Sequence, residues 1–228
     1  MKLTKIIKNG MAITVLVFIA VIAMNCNVGT AQALSKAGQH KLYKTTIAKY
    51  DKTVRKAAEE IKEDYDYSKG DTYYAFIDID KDGVDECVLR YGGTPDTAKD
   101  SGYGESTSLY TIKNGKVKPV LENHKSFYPH CHVDYVRVFK NSSMIDLGFS
   151  HGDGDYFFYK YQNGKIDKKK GTRITFYTNT EGKKVAGIEE NGKSKTVSVA
   201  KGKKKYKKLS GGGKGVKMRK YTKGSEIK

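Results

Sequence analysis

Three Asn-Gly pairs constrain the fold of this chain more than any other feature, because each lies beside runs of β-branched, aromatic and apolar residues. Both residues of an Asn-Gly pair tolerate the positive φ angles that a two-residue hairpin turn requires. With further β-rich runs, the pairs predict about nine or ten strands joined as antiparallel hairpins. The pairs are Asn114-Gly115, Asn163-Gly164 and Asn191-Gly192, and the further runs are 133–139, 144–149 and 173–177.

A change of periodicity marks the one long helix that the sequence predicts. Between Leu42 and Tyr65, apolar residues recur at steps of three and four, with charged residues at the other positions. This spacing predicts an amphipathic helix of about six turns over residues 42–65, with its apolar stripe packed on a sheet. The predicted fold class is therefore α+β and mostly β, with one long N-terminal amphipathic helix packed on a curled antiparallel sheet built from hairpins.

The segment 78–86 reads DIDKDGVDE and predicts a calcium loop. Carboxylates at alternate places can point at one centre when the backbone curves tightly, and the glycine at the sixth place permits the sharp turn. We expect Asp78, Asp80 and Asp82 to be ligands through their carboxylates. Val84 would contribute its backbone carbonyl, and Glu86 would close the far side of the ion.

The residues around this loop separate it from a helix-loop-helix calcium hand. The twelfth place is Leu89 instead of a bidentate glutamate, and the flanking residues favour strands. Over about 73–91 the chain resembles the short DxDxDG calcium loops of integrin-type (FG-GAP) propeller blades, with glutamate at the ninth place where those loops usually have aspartate. It also resembles small secreted bacterial proteins of unknown function that carry a DxDxDGxxE loop between two strands. The resemblance implies a metal site and no particular activity.

A polar turn that binds nothing is the alternative to a metal site. Three aspartates within five residues repel one another in a compact loop unless a cation neutralises them, which favours the metal. A site whose ligands all come from one hairpin is expected to stabilise that hairpin rather than to catalyse a reaction.

The N-terminus predicts export. Lysines precede an uncharged stretch at 11–24, and Ala31 and Ala33 are the small residues that a signal peptidase requires. We expect residues 1–33 to be a signal peptide cleaved after Ala33, which leaves no membrane span. An uncleaved membrane helix and a lipoprotein anchored at Cys26 are the less favoured alternatives. The mature protein is then secreted or associated with the cell envelope.

The formal net charge of +18 is concentrated in the C-terminal part of the chain. Residues 201–228 contain twelve basic residues and one acidic residue, so we expect a single β-rich domain at 34–200 followed by a basic, mobile tail. The expected partner of the tail is an anionic wall polymer or an acidic glycan, and not nucleic acid, because of export. A solubilising tail without a partner is the alternative. The residues predicted to bind polyanions are Lys203, Lys204, Lys205, Lys207, Lys208, Lys217, Arg219 and Lys220.

Cysteine and histidine residues offer weaker signals. Cys87 and Cys131 are either joined in a disulfide or two free thiols. His130 and His132 flank Cys131, with His124 upstream and His151 downstream, and these are residue types that bind zinc. Adjacent residues of a strand point to opposite sides, so the spacing does not favour zinc. Nothing marks a nucleophile turn or an oxyanion hole, so an enzyme is not favoured.

The sequence as a whole therefore predicts a secreted, monomeric, non-enzymatic calcium-binding domain whose basic tail associates with anionic polymers of the cell envelope. The alternative is a glycan-binding module or a glycan-active enzyme. That alternative depends on the 17 tyrosines, some of which could form an exposed surface for sugar rings.

Overall fold

The computed structural model describes residues 34–60, 69–99, 106–122, 135–148 and 154–227. Within these ranges the chain forms two helices and eleven strands. The helices are α1 (Lys36–Glu60) and α2 (Val199–Leu209). The strands are β1 (Thr72–Ile77), β2 (Glu86–Tyr91), β3 (Ser106–Lys113), β4 (Lys116–Glu122), β5 (Tyr135–Val138), β6 (Met144–Gly148), β7 (Asp155–Gln162), β8 (Lys165–Thr178), β9 (Lys184–Glu190), β10 (Lys193–Ser198) and β11 (Arg219–Lys220).

The strands form two antiparallel sheets. The first has the order β11-β1-β2-β3-β4, and the second has the order β10-β9-β8-β7-β6-β5. The prediction of a single curled sheet packed against one long N-terminal helix is therefore wrong. Hairpin turns specify which neighbouring strands pair, but not whether successive hairpins continue the same sheet. Strand β4 forms one edge of the first sheet. Pro119 in this strand has no N–H to donate, and an edge strand tolerates this because its outer side has no neighbour.

The three Asn-Gly hairpins are confirmed. They join β3 to β4, β7 to β8, and β9 to β10. Their asparagines have φ angles of 54°, 51° and 53°, and the glycine that follows each also has a positive φ. These are the left-handed conformations that two-residue hairpin turns require.

Helix α1 covers one side of the first sheet. Its buried face includes Tyr43, Ile47 and Val54, which pack with Leu89 and Tyr91 of β2 in one hydrophobic cluster. These helix residues belong to the apolar stripe identified in the sequence. The helix begins at Lys36 rather than at residue 42, and the predicted end at 61–65 lies outside the described residues.

A second hydrophobic cluster joins the two sheets. Ala75, Val88 and Leu109 on the first sheet pack with Val138 and Ile145 on the second. These five side chains are at most 4% exposed, so this part of the interface between the sheets is closed to solvent. Burial of this kind stabilises the folded state by roughly 25 cal/mol for each Å² of apolar surface removed from water. The first sheet therefore lies between α1 and the second sheet.

Residues of the predicted basic tail are folded. Helix α2 packs Tyr206 and Leu209 against the second sheet, while most of its lysines are exposed. Beyond the helix, Met218 and Tyr221 are only 3% and 9% exposed, and β11 pairs with β1. A lysine-rich composition predicts mobility only where no apolar residues can be buried. Here the few apolar residues of the tail enter the core. This segment therefore forms ordered elements instead of the expected mobile tail.

Gly202 lets α2 approach the second sheet closely. A Cβ added to Gly202 would lie 2.5 Å from Cβ of Ala186 and 2.9 Å from the ring of Phe176. We expect Gly202→Ala to lower the free energy of unfolding by about 1–2 kcal/mol, although alanine favours a helix over glycine. Urea denaturation measures the change. Adding Ala186→Gly should restore much of the loss, and Lys204→Ala on the exposed side of α2 is the control. Stability equal to or above the wild type in Gly202→Ala would contradict the close packing.

Candidate metal centre

The predicted calcium loop connects β1 to β2, the centre of the first sheet. Asp78 organises the turn, since its two carboxylate oxygens accept hydrogen bonds from the N–H groups of Asp82 and Gly83 at 3.1 and 3.0 Å. Lys81 and Gly83 adopt φ angles of 64° and 91°. Such left-handed positions curve the backbone tightly, so that side chains before and after the turn face a common centre.

Asp78, Asp80 and Glu86 form a group that can hold a metal ion. One carboxylate oxygen from each lies within 4.8 Å of the others. Three of the five predicted ligand residues are thus brought together. Asp82 lies outside this group, and its Oδ1 instead accepts a hydrogen bond from the N–H of Val84 at 2.8 Å. The side chain of Val84 is buried in the hydrophobic cluster under α1.

Glu86 is the buried member of the group, with 1% of its surface exposed. Its Oε2 accepts a hydrogen bond from the N–H of Ile79, and its Oε1 accepts one from the hydroxyl of Thr111, both at 3.0 Å. Burial raises the pKa of Glu86 to about 8, and the nearby charge of Asp80 adds to the increase. The two hydrogen bonds fix the carboxylate, while burial makes its negative charge unfavourable without a positive partner.

Two buried oxygens beside Glu86 lack a well-formed hydrogen bond. Among the described residues, Oδ1 of Asp80 and the hydroxyl of Tyr161 are buried and have no partner of normal geometry. Tyr161 is fully buried, and burial and then the charge of Glu86 raise the pKa of its hydroxyl. Buried polar atoms in folded proteins are nearly always paired. The hydroxyl of Tyr161 is directed at Glu86 and Thr111, so Oδ1 of Asp80 is the oxygen that a bound ion would satisfy.

The group lies where the two sheets meet. Oδ2 of Asp80 accepts a hydrogen bond of 2.5 Å from the N–H of Asn163, in the turn between β7 and β8. Thr111 belongs to β3 and Tyr161 to β7. An ion held by Asp78, Asp80 and Glu86 would therefore connect the loop to both sheets.

The N-terminal end of α1 holds the outer side of the loop. The carboxylate of Asp85 contacts Nζ of Lys36 at 2.6 Å and Nε2 of His40 at 2.8 Å. The side-chain amide of Gln39 donates to the carbonyl of Gly83 at 3.0 Å and accepts from the N–H of Asp85 at 2.7 Å. These contacts position the loop without the help of an ion. Sequence reasoning did not find them, because the two segments are distant in the chain.

The residues predicted to bind polyanions do not form one group. Five of them lie on α2, while Lys217, Arg219 and Lys220 lie at or beside β11, at the edge of the other sheet. Some already contact carboxylates: Lys205 pairs with Glu190 at 2.9 Å, and Lys220 pairs with Asp71 at 2.8 Å. The hydrogen bonds from Lys205 hold the pKa of Glu190 below its usual range.

Other residues considered in the sequence fall largely outside the described ranges. These are the predicted signal peptide at 1–33, and His124, His130, Cys131, His132 and His151. Cys87 is a buried free thiol whose pKa is raised by burial. Within the residues that the structure describes, no helix has the length and apolar character needed to span a membrane.

Comparisons of the chain with protein-family models, with curated proteins and with solved structures found no match. The group at Asp78, Asp80 and Glu86 provides three carboxylates that meet at one place. It provides hard oxygen ligands only, which is the donor set of a hard cation.

Proposed function

We propose that this is an exported, non-enzymatic protein in which calcium binds Asp78, Asp80 and Glu86 and fixes the loop to both sheets. The observation that carries the proposal is the convergence of these three carboxylates within 4.8 Å beside the unpaired, buried Oδ1 of Asp80. Like charges this close strongly oppose one another unless a cation or protons intervene. A divalent ion removes that repulsion.

The donor set favours calcium over other metals. Zinc prefers nitrogen and sulfur ligands in a tetrahedral arrangement, and this group offers oxygen alone. Magnesium demands nearly octahedral geometry and retains several waters, whereas calcium accepts six to eight oxygens in flexible geometry. The carbonyl of Val84, the second carboxylate oxygens and water would complete the shell. Asp82 would not be a ligand, and would instead stabilise the turn through its hydrogen bond with the N–H of Val84. Export also favours calcium, because the concentration of calcium outside cells is high enough to occupy sites of low affinity.

A calorimetric calcium titration tests the site. We expect the wild-type protein to bind about one equivalent of calcium, because the group accommodates a single ion. Asp80→Asn should lose most of this binding, since it removes one of three charges while keeping the shape of the side chain. Glu181→Gln, which removes an exposed carboxylate from another turn, is the matched control and should bind as the wild type does. No heat of binding at millimolar calcium in the wild type would refute the proposal.

Helix α2 supports the second part of the proposal, association with anionic polymers of the cell envelope. Lys201, Lys203, Lys204, Lys207 and Lys208 are exposed on this helix. A helix with this many exposed ammonium groups attracts polyanions over about one Debye length, so the association should weaken as salt is added. The rigid helix replaces the flexible tail as the proposed contact.

A further inference from the structure

The second sheet has one side that is partly open to solvent. Phe157, Arg173 and Glu189 are register partners on β7, β8 and β9, so their side chains share one side of the sheet. The neighbouring residues Phe158 and Ile174 point to the opposite side and are buried beneath α2. On the open side lies a groove of about 430 Å³.

An irregularity in β8 shapes this groove. Phe158 pairs with Thr172 and Lys160 pairs with Asp167, so that residues 168–171 stand opposite Tyr159 alone. The extra residues bulge from the strand and place Lys168 and Lys169 along the groove. Bulges of this kind commonly change the direction of side chains beside functional sites.

Gly171 gives the groove an aromatic wall. A Cβ on this residue would lie 2.6 Å from Cε1 of Tyr159, so the tyrosine ring rests directly against the backbone of β8. Tyr159 and Phe157 are both half-buried and both line the groove. An aromatic ring held in this way is rigid and loses little entropy when a flat ligand packs on it.

The groove is positively charged. Lys168, Lys169 and Arg173 line it, together with the single acid Glu189. The guanidinium of Arg173 is fixed, because Nη2 lies 2.9 Å from Asp155 and Cζ lies 5.0 Å from the centre of the Phe157 ring. The two lysine side chains are exposed. Free cations beside a rigid aromatic ring suit a ligand that combines a flat apolar surface with negative charge.

We propose that this groove binds a short acidic oligosaccharide, with a carboxylated pyranose ring against Tyr159 and its carboxylate paired with Lys168 and Lys169. The C–H face of a pyranose is flat and apolar, so it can pack on an aromatic ring. A phosphodiester polymer has no such face and would use the lysines without the tyrosine. This binding depends neither on calcium nor on α2, so it goes beyond the function proposed above.

The test uses the protein from Leu34 onward and a trigalacturonate as probe, with its neutral methyl-esterified form as comparison. We expect the charged sugar to bind and the neutral sugar to bind at least about tenfold more weakly, since charge-assisted contacts contribute roughly 1.5–3 kcal/mol. Lys168→Gln with Lys169→Gln should weaken binding about tenfold or more by the same contacts. Tyr159→Leu keeps an apolar side chain but not the ring, and should weaken binding about fivefold.

The control is Lys203→Gln with Lys204→Gln, which removes two exposed charges from α2. Binding of the trisaccharide by this control should stay within about twofold of the wild type, because the ligand is too short to need the helix. The proposal is overturned if the wild type does not bind, if both lysine pairs weaken binding equally, or if Tyr159→Leu has no effect. A glycerol-phosphate oligomer that binds equally well and ignores Tyr159→Leu would overturn it too. Calorimetry with calcium is independent of all these results.

Discussion

Replacing Glu86 with glutamine is expected to abolish stabilisation by calcium while leaving the metal-free protein at least as stable as the wild type. In the absence of metal, Glu86 is 1% exposed and grouped with Asp78 and Asp80, and burial raises its pKa to about 8, so the folded protein must either bury its charge or take up a proton. Glutamine keeps its size: its amide oxygen can accept the hydrogen bond from the N–H of Ile79, and its NH2 group can donate one to the hydroxyl of Thr111. The substitution therefore removes the cost of burying or protonating a carboxylate without removing packing. We expect the metal-free free energy of unfolding to rise by about 1–3 kcal/mol.

Thermal unfolding with and without calcium measures both effects. For the wild type, calcium at about 100 times its dissociation constant should add roughly 2.7 kcal/mol. In a domain of this size this corresponds to an increase in Tm of roughly 5–11 °C. Glu86→Gln should start at a higher Tm in a chelator and show almost no increase with calcium. Glu181→Gln should follow the wild type in both conditions. A full calcium shift in Glu86→Gln would show that the ion is bound elsewhere.

Local sequence signals predicted the parts of this fold that short-range chemistry determines. The Asn-Gly turns needed only their own backbone conformations, and α1 needed only its apolar spacing. The separation into two sheets depends on long-range packing, which a two-residue turn sequence cannot predict. The same holds for the last part of the chain. Its lysines and glycines indicate mobility, but pairing of Lys220 with Tyr73 and burial of Met218 hold it in the fold.

The candidate metal centre shows the same division between local and distant chemistry. The spacing of Asp78, Asp80 and Glu86 predicted a group of carboxylates, because all three belong to one loop and the start of its following strand. Thr111 and Asn163 complete the surroundings from other strands and turns. Asn163 was visible in the sequence as a turn residue, but nothing indicated that its N–H would reach Asp80. That contact forms only because tertiary packing brings the two turns together.

Arg137→Leu is expected to cost about 3–5 kcal/mol, the largest loss of stability predicted for a single substitution in this protein. Arg137 and Asp146 are register partners on β5 and β6, and their side chains are 9% and 0% exposed. Nη1 of the arginine lies 2.6 Å from Oδ2 of the aspartate. The other carboxylate oxygen accepts a hydrogen bond from the N–H of Phe157 at 2.7 Å. Loss of the arginine would leave a buried negative charge without its cation.

Such a loss is a large part of the roughly 5–15 kcal/mol that stabilises a typical domain. Urea denaturation should show a lower midpoint at an unchanged slope. Arg137→Lys keeps the charge and should cost less, while Arg173→Leu, at the exposed pair with Asp155, should cost no more than about 1 kcal/mol. Equal effects at the buried and exposed arginines would contradict the role of burial. Because Val136 and Val138 flank Arg137 and pack against the first sheet, the loss at Arg137 should also loosen the contact between the sheets on which the metal centre depends.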